Sequence, residues 1–138
     1  MTYLLDTNVC IRLLNNTSPA VTARLAAQQP ENVYLCTVVQ MELYYGADRS
    51  AQVERNLVLL ERFFSQFSIL PLDELAARLA AQIRASLAAS GTPIGPYDLQ
   101  IAAIAMANNL ILVTHNTTEF GRVSGLQIED WEEEGLNC

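Results

Sequence analysis

Tyr3-Leu4-Leu5-Asp6-Thr7-Asn8 is an apolar run that stops abruptly at an acid and two small hydrogen-bonding residues. Val9, Ile11, Leu13 and Leu14 then resume as a helix. The pattern reads as a short buried strand whose carboxyl end delivers Asp6 into a crevice, where open α/β sheets bind their ligands. Asp, Thr and Asn also favour helix N-caps, so taken alone Asp6 reads more simply as a cap. The rest of the chain decides against that simple reading, because it brings further acids to comparable places.

Outward from this stretch, strands and helices alternate. Ser18-Pro19 opens a second helix through Val21 and Leu25 to about Gln28, and Val33–Cys36 reads as a second strand. Thr37 and Gln40 form a capping box for a helix from Val38 to about Ala47. That helix carries Glu42 on a largely apolar face, and a buried carboxylate needs a partner, a hydrogen bond or a metal. Ser50 to about Gln66 reads as a longer amphipathic helix striped by Val53, Leu57, Leu60 and Phe64. Phe67–Leu70 is a third strand. Asp73 caps the next helix, striped by Leu75, Leu79, Ile83 and Leu87, and Gly91 is its stop.

The rigid connection Gly91-Thr92-Pro93-Ile94-Gly95-Pro96 leads into a helix from Tyr97 to Ala107 that is apolar on nearly every side and belongs in the middle of the fold. Its one charge is Asp98, in the first turn, where an acid also suits the helix dipole. Leu110–Thr114 is the fourth and strongest strand, His115–Phe120 a polar loop, and Leu126–Ile128 a last edge strand. Strands alternating with helices, with no hairpin signal, predict an α/β fold: three layers, α/β/α, around a mostly parallel central sheet of about four or five short strands. Residues 1–138 are expected to form a single domain with an acidic C-terminal segment from 129 to 138.

Composition sets a tension. All eight basic residues are arginine, against 15 acids, for a net charge of −7. Such a chain repels a polyanion at long range, so any nucleic acid must be held by clustered arginine or by metal ions. A basic protein partner suits the surface better. The run Glu129-Asp130-Trp131-Glu132-Glu133-Glu134 holds five of the 15 acids and reads as a solvated tail. No apolar run approaches a membrane span and no signal peptide is evident. Cys10, Cys36 and Cys138 are odd in number and lack metal-ligand spacing, which fits a reduced cytoplasm.

Asp6, Glu42 and Glu119 each follow the carboxyl end of a strand, and Asp98 joins them if the proline-rich connection returns its helix to that rim. Carboxylates crowded there repel one another unless a cation sits between them. Oxygen donors without His or Cys select a hard ion, Mg²⁺ or Mn²⁺, which suits phosphodiester hydrolysis. A receiver-type binding module and an aspartyl-nucleophile phosphatase also place acids at such a rim. Both usually need a lysine, which this chain lacks, and the phosphatase needs an acid where Asn8 stands.

The pieces Leu5-Asp6-Thr7-Asn8, Met41-Glu42-Leu43 with Gly46-Ala47, Pro93 to Asp98 with Ile101-Ala102-Ala103, and Leu112 to Asn116 with Glu119-Phe120 resemble the PIN-domain family. More narrowly, the chain is similar to the VapC-type toxins of bacterial type II toxin–antitoxin pairs. The resemblance implies a Mg²⁺-dependent endoribonuclease, usually dimeric, neutralised by a VapB-type antitoxin. It assigns Asp6, Glu42 and Asp98 as catalytic, metal-holding acids. Many relatives have Asp where Asn116 stands, and Glu119 is expected to take that part, with Thr7, Asn8, Thr114 and Asn116 in support. His115 reads as a loop-surface residue, with general-acid work as the alternative. The matches at Pro93–Asp98 and Val123–Trp131 resemble relatives that cut initiator tRNA in its anticodon stem-loop. A catalytically weakened regulatory PIN domain and a DNA-directed nuclease are the alternatives.

Overall fold

The computed structural model describes residues 1–132. In chain order it contains β1 (Tyr3–Leu5), α1 (Thr7–Asn15), α2 (Pro19–Ala26), a 3₁₀ turn (Pro30–Asn32), β2 (Val33–Cys36), α3 (Thr37–Asp48), α4 (Val53–Phe64) and β3 (Ser68–Leu70). α5 (Glu74–Ala89), α6 (Pro96–Ala107), β4 (Ile111–Val113), α7 (Thr117–Phe120) and β5 (Ile128–Glu129) complete it. The strands form one sheet in the order β3-β2-β1-β4-β5, and every pairing is parallel. The predicted α/β architecture is therefore the one adopted. No helix among the described residues is long and apolar enough to cross a membrane.

The order of the strands explains why Asp6 matters. The chain winds outward from β1 through β2 to β3, then returns to the other side of β1 to lay down β4 and β5. The direction of winding reverses between β1 and β4, and a crevice opens there at the carboxyl ends of the strands. Asp6 ends β1 and Thr114 ends β4, so both stand at this switch point. The Asp6 backbone N–H donates to Val113 O at 3.1 Å, which extends the β1–β4 ladder to the lip of the crevice.

Apolar sequence becomes core where periodicity says it should. Leu4, Leu5, Leu35, Leu112 and Val113 are fully buried in the sheet. Ile101 through Ala105 are all inaccessible in α6, as a helix with no polar face must be. Cys10 and Cys36 are buried free thiols, and burial pushes Cys36 up to about 11, far from a reactive thiolate. Cys138 lies outside the described residues.

Several local readings are corrected. Thr37 and Gln40 do not make a capping box: Thr37 is already helical, Cys36 is the cap, and no side chain bonds the free N–H groups there. Strand β2 runs directly into α3, leaving no residue to serve as a polar cap. α4 starts at Val53 rather than Ser50, whose hydroxyl instead bonds Ala47 O at 2.6 Å and accepts from Asn56 at 2.9 Å. His115–Phe120 is not wholly loop, since Asn116 accepts the Glu119 N–H and caps the turn α7. The acidic tail is not simply solvated either. Trp131 is 1% exposed and packs edge-on against Tyr3 with ring centroids 5.2 Å apart, while Arg24 pairs with Glu129 at 3.3 Å. Residues 133–138 of that segment lie outside the described residues.

Candidate active site

Asp6 is both the acid and the cap that its sequence allowed. Its Oδ1 accepts the Val9 N–H at 2.9 Å, closing the first turn of α1. The side chain is 5% exposed, and burial raises its pKa to about 6 against the Thr114 and Val9 hydrogen bonds that lower it. The charges of Glu132 and Glu42 push it further up. A cap alone has no need of this environment, because helix caps ordinarily sit at the surface.

Glu42 reaches the same rim from α3. It is half-buried and its Oε1 accepts the Thr7 hydroxyl at 2.6 Å, so the expected partner of this carboxylate is the residue next to Asp6. Asp98 comes from the first turn of α6, and the proline-rich connection does return it to the rim. Burial, the Glu119 hydrogen bond and the charges of Glu119, Glu42 and Asp6 raise its pKa to about 7. Asp98 thus senses each of the other three acids.

Glu119 has the opposite environment. The Gly95 N–H donates to its Oε1 at 2.9 Å, and Asn116 Nδ2 donates to its Oε2 at 3.0 Å. These bonds, with Asp98 and the Arg122 charge, hold its pKa below the usual range despite partial burial. In the Asp98–Glu119 pair the proton therefore resides on Asp98. Gly95 stands against both carboxyls: a Cβ there would meet Asp98 Oδ2 at 3.4 Å and Glu119 Oε1 at 3.7 Å.

The supporting residues take different places. Thr7 holds Glu42. Thr114, fully buried, bonds Asp6 and accepts the Asn116 N–H at 3.0 Å. Asn116 holds Glu119, and Asn8 lines the crevice beside Asp6. His115 is exposed, as expected of a loop-surface residue, but its Nδ1 lies 2.9 Å from Asp130 Oδ2, a partner that spacing along the chain concealed.

The donor set suits a divalent cation. It is all oxygen, and two of its carboxyls are held well above their ordinary pKa by burial and by like charges that a dication would offset. It is not a finished cage, because among the described residues no three His, Cys, Asp or Glu side chains are grouped closely enough to hold an ion.

Residues 3–126 match the PIN domain family. The tRNA(fMet)-specific endonuclease VapC of Shigella flexneri is 45% identical over 129 residues, which cover 94% of this chain and 97% of that protein. Among solved structures, DNA-bound VapBC from Salmonella typhimurium superposes with a TM-score of 0.89 at 41% identity, over 95% of this chain and 98% of that one. VapBC-1 from nontypeable Haemophilus influenzae superposes at 0.88 with 32% identity, over 96% and 100%. The chain belongs to the PIN-domain family, whose nucleases depend on divalent metal ions. Within that family it stands with the VapC endoribonucleases, the toxin halves of toxin–antitoxin pairs.

Proposed function

We propose that residues 1–138 form a single PIN domain that hydrolyses RNA phosphodiester bonds as the toxin of a type II pair. The observation that carries this reading is the delivery of four carboxylates from four separate elements to one rim, around an Asp98 that burial and the other three acids raise to about 7. Asp6, Glu42, Asp98 and Glu119 hold the metal, Mg²⁺ or Mn²⁺. When bound, that ion polarises the scissile phosphate and lowers the pKa of an attacking water.

The protein's own part is placement. Asp6 is fixed by Val9 and Thr114, Glu42 by Thr7, and Glu119 by Gly95 and Asn116. Each of these three carboxylates therefore approaches from a set direction, which limits the reorganisation needed as charge develops on the phosphate. Asp98, raised to about 7, would be held in its ionised form with a cation in the site.

The tRNA(fMet) specificity named for the Shigella and Salmonella relatives supports initiator tRNA as the substrate; cleavage in its anticodon stem-loop is our reading from the sequence resemblance. The VapBC complexes support a VapB-type antitoxin as partner, and we read the toxin itself as a homodimer. A basic antitoxin segment suits the net charge of −7, and an arginine set against Asp6, Glu42 and Asp98 would substitute for the cation's charge. Action is cytoplasmic, with no membrane contact.

The test is incubation of the purified chain with initiator tRNA and total RNA, followed by sequencing of new ends. Cleavage is expected in Mg²⁺ or Mn²⁺ and not in EDTA, and Asp6→Ala or Asp98→Asn should abolish it. Cleavage undiminished by chelator would overturn the metal mechanism.

A further inference from the structure

We propose that Arg12 and His115 form a phosphate-binding subsite on the flank of the acidic rim, gripping the RNA backbone beside the scissile bond. The proposal rests on the ribonuclease reading and adds the residues that let so acidic a chain hold a polyanion.

The two cations line one open cleft of about 450 Å³ together with Asp6, Asn8, Asn116 and Glu132. They arrive from opposite sides of the switch point. Arg12 lies one turn beyond Asn8 on α1, and residues so spaced share a helix face. His115 directly follows Thr114 at the end of β4. Both side chains reach solvent, at 47% and 61% exposure.

Each cation is held at its far edge by an acid of the segment after β5. Arg12 Nε lies 3.3 Å from Glu132 Oε1, and His115 Nδ1 lies 2.9 Å from Asp130 Oδ2. Those acids are themselves fixed, since Asp130 and Glu132 are only 8% and 15% exposed and the buried Trp131 stands between them. A guanidinium held through Nε keeps both Nη groups for a ligand, and a protonated imidazole held through Nδ1 keeps Nε2–H as a second donor. Phosphate oxygens suit these donors, most of all the planar fork of arginine.

The latch also answers a difficulty. An unrestrained arginine beside a buried Asp6 would pair with it and compete with the metal. Glu132 holds Arg12 within the cleft without yielding it to Asp6.

The experiment uses the full chain, Arg12→Gln and His115→Gln, with a fluorescein-labelled single-stranded RNA oligonucleotide followed by anisotropy across a salt series. Both changes should weaken binding about threefold to tenfold, as expected for loss of one solvent-exposed hydrogen-bonded contact. Arg12→Gln should also reduce the slope of log K against log salt by about 0.7, the value for one phosphate contact on a single strand. Mn²⁺ affinity and the thermal midpoint should stay within error of the parent. RNA affinity and salt slope unchanged in both variants, or a lowered midpoint with unchanged affinity, would overturn the subsite. A parent chain that neither binds nor cleaves RNA in Mg²⁺ or Mn²⁺ would overturn the ribonuclease reading and the subsite with it.

Discussion

Thr7 donates its hydroxyl to Glu42 Oε1 at 2.6 Å, joining the first turn of α1 to the middle of α3 across 35 residues of sequence. The bond sets Glu42 beside Asp6, because Thr7 is the next residue along. Thr7→Val keeps the shape and removes the donor, leaving the half-buried carboxylate without its partner. Hydrogen bonds to charged groups contribute roughly 1.5–3 kcal/mol, so a loss of about tenfold or more is expected. Calorimetric titration with Mn²⁺ should show it in metal affinity, and kcat/KM on RNA should fall in step. Thr7→Ser should restore both.

The acids make stability depend on pH in a direction opposite to that of most paired carboxylates. Asp98 is raised from 3.8 to about 7 and Asp6 from 3.8 to about 6. The folded protein therefore binds more protons than the unfolded chain between about pH 4 and pH 7, and its stability falls as pH rises through that window. Glu119, held low, contributes with the opposite sign, and its share is lost as pH falls below its ordinary value of 4.5. In EDTA the thermal midpoint should decline from pH 5 to pH 8, and Mg²⁺ should recover it more at pH 8 than at pH 5. Asp98→Asn should flatten the decline. A midpoint that climbs over that range in EDTA would contradict the environments found for Asp98 and Asp6.

What was legible in the sequence followed from periodicity and punctuation. The Leu5–Asp6 break, the cap at Asp73 and the stop at Gly91 all stand where one strand or helix meets its end, and local chemistry decides such points. Glu42 was legible because a carboxylate on an apolar face demands a partner. What stayed hidden was set by distant contacts. Nothing local to Asp130 says that it meets His115, 15 residues away, or that Trp131 buries against Tyr3. The capping box at Thr37 failed because a strand entering the helix directly outweighs a short motif.

Glu119 and Asn116 can be told apart by their separate duties. Asn116 caps α7 and orients Glu119, whereas Glu119 is the proposed metal-holding acid. Glu119→Gln keeps the size and loses the charge. It should lower Mn²⁺ affinity and cleavage rate by about tenfold or more, if the charge-assisted contact is worth what such contacts usually are. Asn116→Ala should cost about 1 kcal/mol of stability through the lost cap, with a smaller effect on rate. If both changes leave cleavage and metal affinity intact, the site is built from Asp6, Glu42 and Asp98 alone.

Gly95 offers the sharpest probe of the Asp98–Glu119 pair, because it can be changed without touching either acid. Its φ of −58° suits any residue, so alanine brings no backbone strain. The added Cβ would stand 3.4 Å from Asp98 Oδ2 and 3.7 Å from Glu119 Oε1, ordinary contact distances that the fold accommodates. The Gly95 N–H is retained, so its bond to Glu119 survives. The methyl group would instead displace solvent from both carboxyls, disfavouring their ionised forms and crowding an approaching cation. Gly95→Ala should therefore keep its thermal midpoint in EDTA while losing several-fold in Mn²⁺ affinity, and higher Mn²⁺ should recover part of the cleavage rate. A variant that folds and binds Mn²⁺ like the parent would place the metal away from the Asp98–Glu119 pair.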